Sequence, residues 1–190
     1  VSSMGLMMEA CAEAGKEFIV LDRPNPLGGE RVEGTLVEDG FYSFVSQFKI
    51  PYLYGLTLGE LARMLNGEKM LKNGVQAKLT VVPMEGWHRN MLYEDTKLPW
   101  ILPSPHVPQI VNAYYYPVSG IMGELGYISE GVGYTLPFQL FVAEWIDCKK
   151  LCDAMNALNL PGIRFRTIYE TPYYGSKKGK YCSGVQVFIT

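Results

Sequence analysis

Hydrophobic and polar positions fall into short blocks separated by proline and glycine. Met4 to Ala14 is apolar almost all round, as in a helix packed on a sheet. Ser2 or Ser3 is placed to cap it and Gly15 to stop it. Phe18 to Leu21 is an unbroken apolar run that suits a strand buried on both faces. Polar residues follow at once, Asp22, Arg23 and Asn25, spaced by Pro24 and Pro26, which deny helix to the residues before them. Gly28 and Gly29 then allow a reversal. Phe41, Phe44, Val45 and Phe48 mark an aromatic-rich segment ending at Pro51. Thr57-Leu-Gly-Glu60 fits a capping box, and Leu58, Leu61, Ala62 and Leu65 give the stripe of a helix that Gly67 ends. Ala77 to Val82 alternates as a strand closed by Pro83.

The texture changes from Met84 to Pro108, where Trp87, Trp100 and several prolines lie among few periodic signals. Such a stretch is expected to be functional or to cross between domains, which places the domains at 1–84 and 85–190. Beyond it, Pro108 starts a helix through Tyr115, and Val118 to Met122 reads as a strand. Gly120, Gly123, Gly126, Gly131 and Gly133 punctuate a glycine-rich bend. Phe138 to Ala143 is a strand. Asp147 caps a helix through Leu158, with Leu151, Met155 and Leu158 facing inward. Ile163 to Tyr169 and Val185 to Ile189 are further strands. The fold class is α/β: a partial Rossmann-like domain, then a smaller mixed α+β domain.

Composition narrows the function. In 190 residues, 48% hydrophobic and 19% charged content describe a globular chain with a sizeable core. A formal net charge of −2 without a basic stripe argues against a nucleic-acid partner. Lys177, Lys178 and Lys180 form the densest basic patch, read as a solvated turn. No apolar run is long enough for a membrane span. The four cysteines lack paired metal spacing, and Cys148 and Cys152, one helical turn apart, read as core or boundary thiols. With only His88 and His106, nothing points to zinc. The glycine-rich bend lacks G-x-G-x-x-G after a strand, so no cofactor is expected. Ser104 and His106 sit too close in a proline-rich loop to favour a Ser-His-Asp triad.

In open α/β sheets ligands bind just beyond the carboxyl ends of strands, so the Asp22 loop is a natural place for a site. Equally, Asp22 and Arg23 can pair with each other or cap a helix.

Leu21-Asp-Arg-Pro-Asn-Pro-Leu-Gly-Gly followed by Val32-Glu-Gly resembles the NamZ-type exo-β-N-acetylmuramidases, formerly a domain of unknown function. Further blocks agree in order: Gly55-Leu-Thr-Leu-Gly-Glu-Leu-Ala, Pro83-Met-Glu-Gly-Trp-His-Arg, Leu98-Pro-Trp, Pro103-Ser-Pro, Ser129-Glu-Gly, Pro137-Phe, Leu160-Pro-Gly-Ile-Arg-Phe and Gly184-Val-Gln-Val. The resemblance implies a bacterial glycosidase of cell wall recycling. It would release N-acetylmuramic acid from the non-reducing ends of peptidoglycan fragments, at a periplasmic or extracytoplasmic location. The implied architecture is a Rossmann-like N-terminal domain beside a smaller α+β domain, with the cleft between them. Two departures stand out. Members carry an N-terminal segment with a Gly-Pro-Glu-His-Gly block ahead of the residue matching Val1, and they continue beyond Thr190. The chain thus reads as the middle of such an enzyme, with Phe18 to Leu21 expected at an exposed sheet edge. The family's Ser-Glu-Gly-Arg-Gly reads Ser129-Glu130-Gly131-Val132-Gly133 here, and His106 stands where asparagine is common.

Glycoside hydrolysis normally needs two carboxyl groups flanking the scissile bond, one protonated and one ionised. Glu130, among glycines that allow close approach, and Glu33, after the Gly28-Gly29 turn, are the catalytic candidates. N-acetylmuramic acid carries a lactyl carboxylate, which arginine binds bidentately. Arg23 is the candidate cation, with an ion pair to Asp22 as its structural alternative. Trp87 and Trp100 can stack on sugar rings or pack between domains. The cleft reading expects Asp22, Arg23 and Asn25 to face Ser129, Glu130 and Thr135 across one pocket, with Ser104 and His106 on its rim. The competing reading is a non-catalytic glycan-binding or structural protein of the same fold.

Overall fold

The computed structural model describes residues 1–190, which form two compact units, Val1–Pro99 and Trp100–Thr190. In the first unit the order is α1 (Ser2–Glu13), β1 (Glu17–Leu21), β2 (Glu33–Leu36), β3 (Pro51–Leu53), α2 (Leu58–Gly67) and β4 (Lys78–Val82). Strands β1 and β4 pair in parallel, from Glu17 opposite Lys78 to Leu21 opposite Val82. They form a two-stranded sheet, so β1 has one hydrogen-bonded neighbour. The capping box at Thr57 is complete: the hydroxyl accepts from the Glu60 amide at 3.2 Å, and the Glu60 carboxylate accepts from the Thr57 amide at 3.1 Å. Behind it Leu61, Ala62 and Leu65 are fully buried, packed with Met8, Val20 and Phe48.

α1 ends as its glycine implies. Gly15 takes a φ of +63°, the Lys16 amide donates to the Cys11 carbonyl and the Gly15 amide to that of Ala12, a Schellman termination. Its other end differs from expectation. Val1 is the N-cap and no serine side chain caps the helix. α2 continues through Gly67, and Lys69 (φ 55°) takes the left-handed position that ends it. β1 is also not buried on both faces. Phe18 and Val20 face the core, whereas Ile19 and Leu21 are exposed. An unbroken apolar run has here the alternating burial of a one-sided strand.

The second unit contains α3 (Ile110–Glu124), β5 (Leu140–Ala143), α4 (Cys148–Ala157), β6 (Ile163–Glu170) and β7 (Cys182–Ile189). The sheet is antiparallel in the order β5-β7-β6. Asp147 caps α4, its carboxylate accepting from the Lys150 amide at 3.1 Å. Between α3, α4 and the sheet lies a strongly apolar cavity of about 910 Å³, lined among others by Tyr115, Phe138, Leu151 and Val187. The chain is thus α/β, with a parallel pair and its helices in one unit and an antiparallel sheet with two helices in the other.

Three expectations for this unit are corrected. Val118 to Met122 is not a strand, because α3 runs unbroken through Pro117 to Glu124. Its buried face is Asn112, Tyr115, Ser119 and Gly120, helical in spacing but mostly polar or small, so hydrophobic periodicity misses it. Those polar groups are bonded: Asn112 donates to the Pro137 carbonyl at 2.8 Å, and Ser119 to that of Phe138 at 2.7 Å. Leu158 does not face inward; it is the C-cap of α4 and exposed. Nor is the lysine patch merely solvated. Lys177 (2.9 Å) and Lys180 (2.5 Å) both grip Glu144, and the Lys177 side chain is largely buried. The Lys180 hydrogen bond leads in holding the Glu144 carboxyl down at about 2.

The compact units divide at Pro99, later than the expected 84/85 boundary, because residues 85–99 bind back onto the first unit. The Gly29 amide donates to the Arg89 carbonyl at 2.7 Å, and the Arg89 guanidinium reaches the Gly55 carbonyl and the Glu60 carboxylate. Tyr93 is buried, and its hydroxyl donates to the Pro99 carbonyl at 2.9 Å.

Candidate functional site

The loop after β1 is built from its own polar groups. One oxygen of Asp22 accepts from the Gly59 amide at 2.7 Å and the Arg23 amide at 2.8 Å, and the other from the Thr57 hydroxyl at 2.9 Å. Asp22 therefore sits on the N-terminus of α2, where free amides and the helix dipole favour a carboxylate. Gly59 is required there, since a Cβ would run into Asp22 and Val81. Asn25 donates to the Leu56 carbonyl at 3.1 Å and accepts from the Leu27 amide at 3.0 Å. These two residues are the framework of the loop. Arg23 meets Asp22 through its backbone amide, while its guanidinium donates to the hydroxyl of the buried Tyr93 at 3.3 Å. Of the three, Arg23 is the one exposed to solvent. Glu33 is also exposed, at the start of β2.

Arg89 and Trp87 close over the two-glycine reversal, where a Cβ on Gly29 would press on both. The Trp87 indole nitrogen is buried without a hydrogen-bond partner. Trp100 belongs to the other unit and donates to the Val107 carbonyl at 3.1 Å.

In the second unit the bend at Ser129, Glu130 and Gly131 is clamped on both sides. Ser129 and Val142 exchange backbone hydrogen bonds of 2.8 and 3.0 Å, and the Leu140 amide donates to the Glu130 carbonyl. Gly131 has a φ of +94°, and a Cβ there would collide with the Leu136 carbonyl, so the turn requires glycine. The Glu130 carboxyl lies on the backbone of Gly123 near the C-terminal end of α3, a place any side chain at 123 would fill. Burial pushes this carboxyl above the ordinary glutamate range; its own backbone amide pulls it down, Glu124 pushes it up and His106 pulls it down. A helix C-terminus, where carbonyls point outward, also disfavours a carboxylate.

His106 is exposed, its amide donates to the Ser104 hydroxyl at 3.4 Å, and its ring lies 6.0 Å from that of Tyr174. Within this unit Ser129 and Glu130 share one turn, the His106 charge acts on Glu130, and Ser104 is bonded to the His106 amide. Thr135 is exposed, farther along the same loop.

Two further acids stand beside Glu130. Glu124 is exposed at the last turn of α3; reading that segment as a strand and bend had hidden it. Glu170, the last residue of β6, is 5% exposed. One of its oxygens accepts from the Ser129 hydroxyl at 3.3 Å, and the other is buried without a partner. Burial raises the Glu170 carboxyl, the Ser129 hydrogen bond lowers it, and the Glu130 charge raises it. Its one signal in sequence was an acid ending a strand just before Pro172, itself fully buried. No three His, Cys, Asp or Glu side chains come together as a metal site.

Comparison with known proteins agrees along the whole chain. The model of the N-terminal domain of exo-β-N-acetylmuramidase NamZ matches residues 1–111, and that of the C-terminal domain residues 114–190. The peptidoglycan β-N-acetylmuramidase NamZ of Bacillus subtilis is 43% identical over 190 residues, all of this chain and 45% of that protein. Two crystal structures of DUF1343 family proteins from Bacteroides fragilis are similar. One is 60% identical with a TM-score of 0.90, covering 99% of this chain and 48% of the other. The second is 30% identical with a TM-score of 0.76, covering 97% and 47%. The chain spans about half the length of these relatives, and it belongs to the NamZ exo-β-N-acetylmuramidase family.

Proposed function

We propose that the chain carries part of the machinery of a glycosidase that removes N-acetylmuramic acid from the ends of peptidoglycan fragments, with Glu130 as the acid. The observation that carries this is the half-buried Glu130 carboxyl, laid on the bare backbone of Gly123, where burial raises it above the ordinary glutamate range. A general acid needs that condition: it must hold its proton until the leaving oxygen takes it. In the step proposed, the Glu130 proton passes to the glycosidic oxygen, the bond from that oxygen to the anomeric carbon breaks, and water adds to that carbon. In this reading Glu124, exposed at the end of α3 and raising the Glu130 carboxyl by its charge, is the group that accepts the water's proton. Arg23, a solvent-exposed cation on a rigid loop, is the group we assign to recognition of the lactyl carboxylate.

The test is incubation of the protein with the disaccharide N-acetylmuramic acid-β-1,4-N-acetylglucosamine, with chromatographic detection of free sugars and calorimetric measurement of binding. Release of N-acetylmuramic acid, abolished in Glu130→Gln, supports the glycosidase. Binding without release would favour the glycan-binding alternative, and neither would overturn both.

A further inference from the structure

Glu170 takes no part in the chemistry just described, yet it is the most enclosed acid of the Glu130 cluster. We propose that Glu170 is the positioning residue of this site: from beneath Ser129 it fixes the Ser129–Gly131 turn and so the direction in which the Glu130 carboxyl points. This rests on Glu130 being the acid.

The Ser129 hydroxyl has one proton to give. It donates that proton to Glu170 at 3.3 Å, which turns an oxygen lone pair toward the Gly131 amide, also at 3.3 Å. The relay from Glu170 through Ser129 to Gly131 spans the residue on each side of Glu130. With Ser129 held to Val142, and Gly131 pinned below the Leu136 carbonyl, Glu130 keeps only its side-chain torsions free. Removing the acceptor at 170 releases the hydroxyl rotor and one of those anchors. A misplacement of about 1 Å at such a group costs up to about a hundredfold in rate.

Several charged or titratable groups face this relay. Glu124 on α3 and His106 in the loop before it act on Glu130. Glu130 acts on Glu170, and Glu170 in turn acts on Cys182 of β7, its cross-strand neighbour. The sealed position raises the Glu170 carboxyl above the ordinary glutamate range, and glutamine keeps its shape and the oxygen that accepts from Ser129.

The experiment compares Glu170→Gln, Glu170→Ala, Ser129→Ala and the double alanine variant by two readouts. The first is the titration midpoint of the Glu130 side-chain carboxyl carbon by NMR, which needs no turnover. The second is kcat and KM on the disaccharide. Positioning predicts that Glu170→Gln leaves the Glu130 midpoint in place and kcat within about threefold, whereas Glu170→Ala and Ser129→Ala each move the midpoint. Each alanine should lower kcat about tenfold or more at nearly constant KM, and the double variant should do no worse than the poorer single one. If Glu170→Gln abolishes turnover while the midpoint stays put, Glu170 supplies a proton itself and positioning is wrong. Should every variant leave midpoint and kcat unchanged, Glu170 serves only the fold. Where Glu170→Ala does not fold, Ser129→Ala and Glu170→Gln decide. Absence of turnover in the unmodified protein would overturn the glycosidase proposal, while the titration would still decide the positioning role.

Discussion

Two loops carry the candidate chemistry, and they are built on opposite plans. After β1, Asp22 has its carboxylate bonded three times, Asn25 is bonded at both ends, and the α2 N-terminus takes what Asp22 offers. Around Glu130 the acids are instead buried faster than they are satisfied: Glu130 and Glu170 are both raised by burial, and one Glu170 oxygen has no partner. A fully bonded carboxylate holds a fold together. A desolvated, under-bonded one binds its proton more tightly, and a group in that state is a candidate for function.

The contrast can be broken most easily at its extremes. Glu130→Gln should cut turnover by about 10²–10⁴-fold while leaving the urea unfolding midpoint unchanged or slightly higher, since a desolvated acid is replaced by a neutral amide. Asp22→Ala should do the reverse. It strands the Gly59 amide and the Thr57 hydroxyl and should cost about 2–3 kcal/mol of stability, with the Glu130 titration unmoved. Denaturant unfolding read by tryptophan fluorescence checks both. If Asp22→Ala were silent in stability, the first loop would not be the framework described here.

A smaller effect concerns Arg23. If it reads the lactyl carboxylate, Arg23→Ala should weaken muramic-acid substrates by about 1.5–3 kcal/mol and glucosamine analogues hardly at all. Equal weakening of both would mark it as structural.

Smaller still is the pH dependence of stability, which separates the two kinds of acid within the second unit. Glu144, held near 2 by Lys180 and Lys177, contributes stability that is present above its ordinary value of 4.5 and lost as pH falls from there toward 2. Glu130 and Glu170 have the opposite sign. Raised in the folded state, they keep protons that the unfolded chain has released, so stability declines as pH rises from 4.5 through their folded values. Unfolding midpoints across pH should therefore show Glu144→Gln flattening the acid limb and Glu170→Gln flattening the decline above it. Identical curves for all three proteins would contradict these signs.

Much of the framework was legible in the sequence because it rests on local rules. The Thr57–Glu60 box, the Gly15 stop, the Asp147 cap and the β4 strand each follow from a few neighbouring residues. α3 was not legible beyond its first half, because its buried face is carried by Asn112, Ser119 and Gly120, and because Pro117 sits where a helix is expected to stop. That error hid Glu124. The Glu130 bend stood out through its glycines and its family motif, whereas Glu170 could not, since nothing near it in the chain announces a partner forty-one residues back. The structural role of Asp22 was one of two readings open from sequence. Only the Gly59 amide and the Thr57 hydroxyl show which one holds.

Glu130 is the proposed working acid, whereas Asp22 and Asn25 hold their own loop in place. The most direct test is the rate of N-acetylmuramic acid release from the disaccharide by Glu130→Gln and by the unmodified protein, at equal folded concentration. We predict release by the unmodified protein and a loss of about 10²-fold or more in the variant, with binding retained. Equal rates in the two would contradict the account.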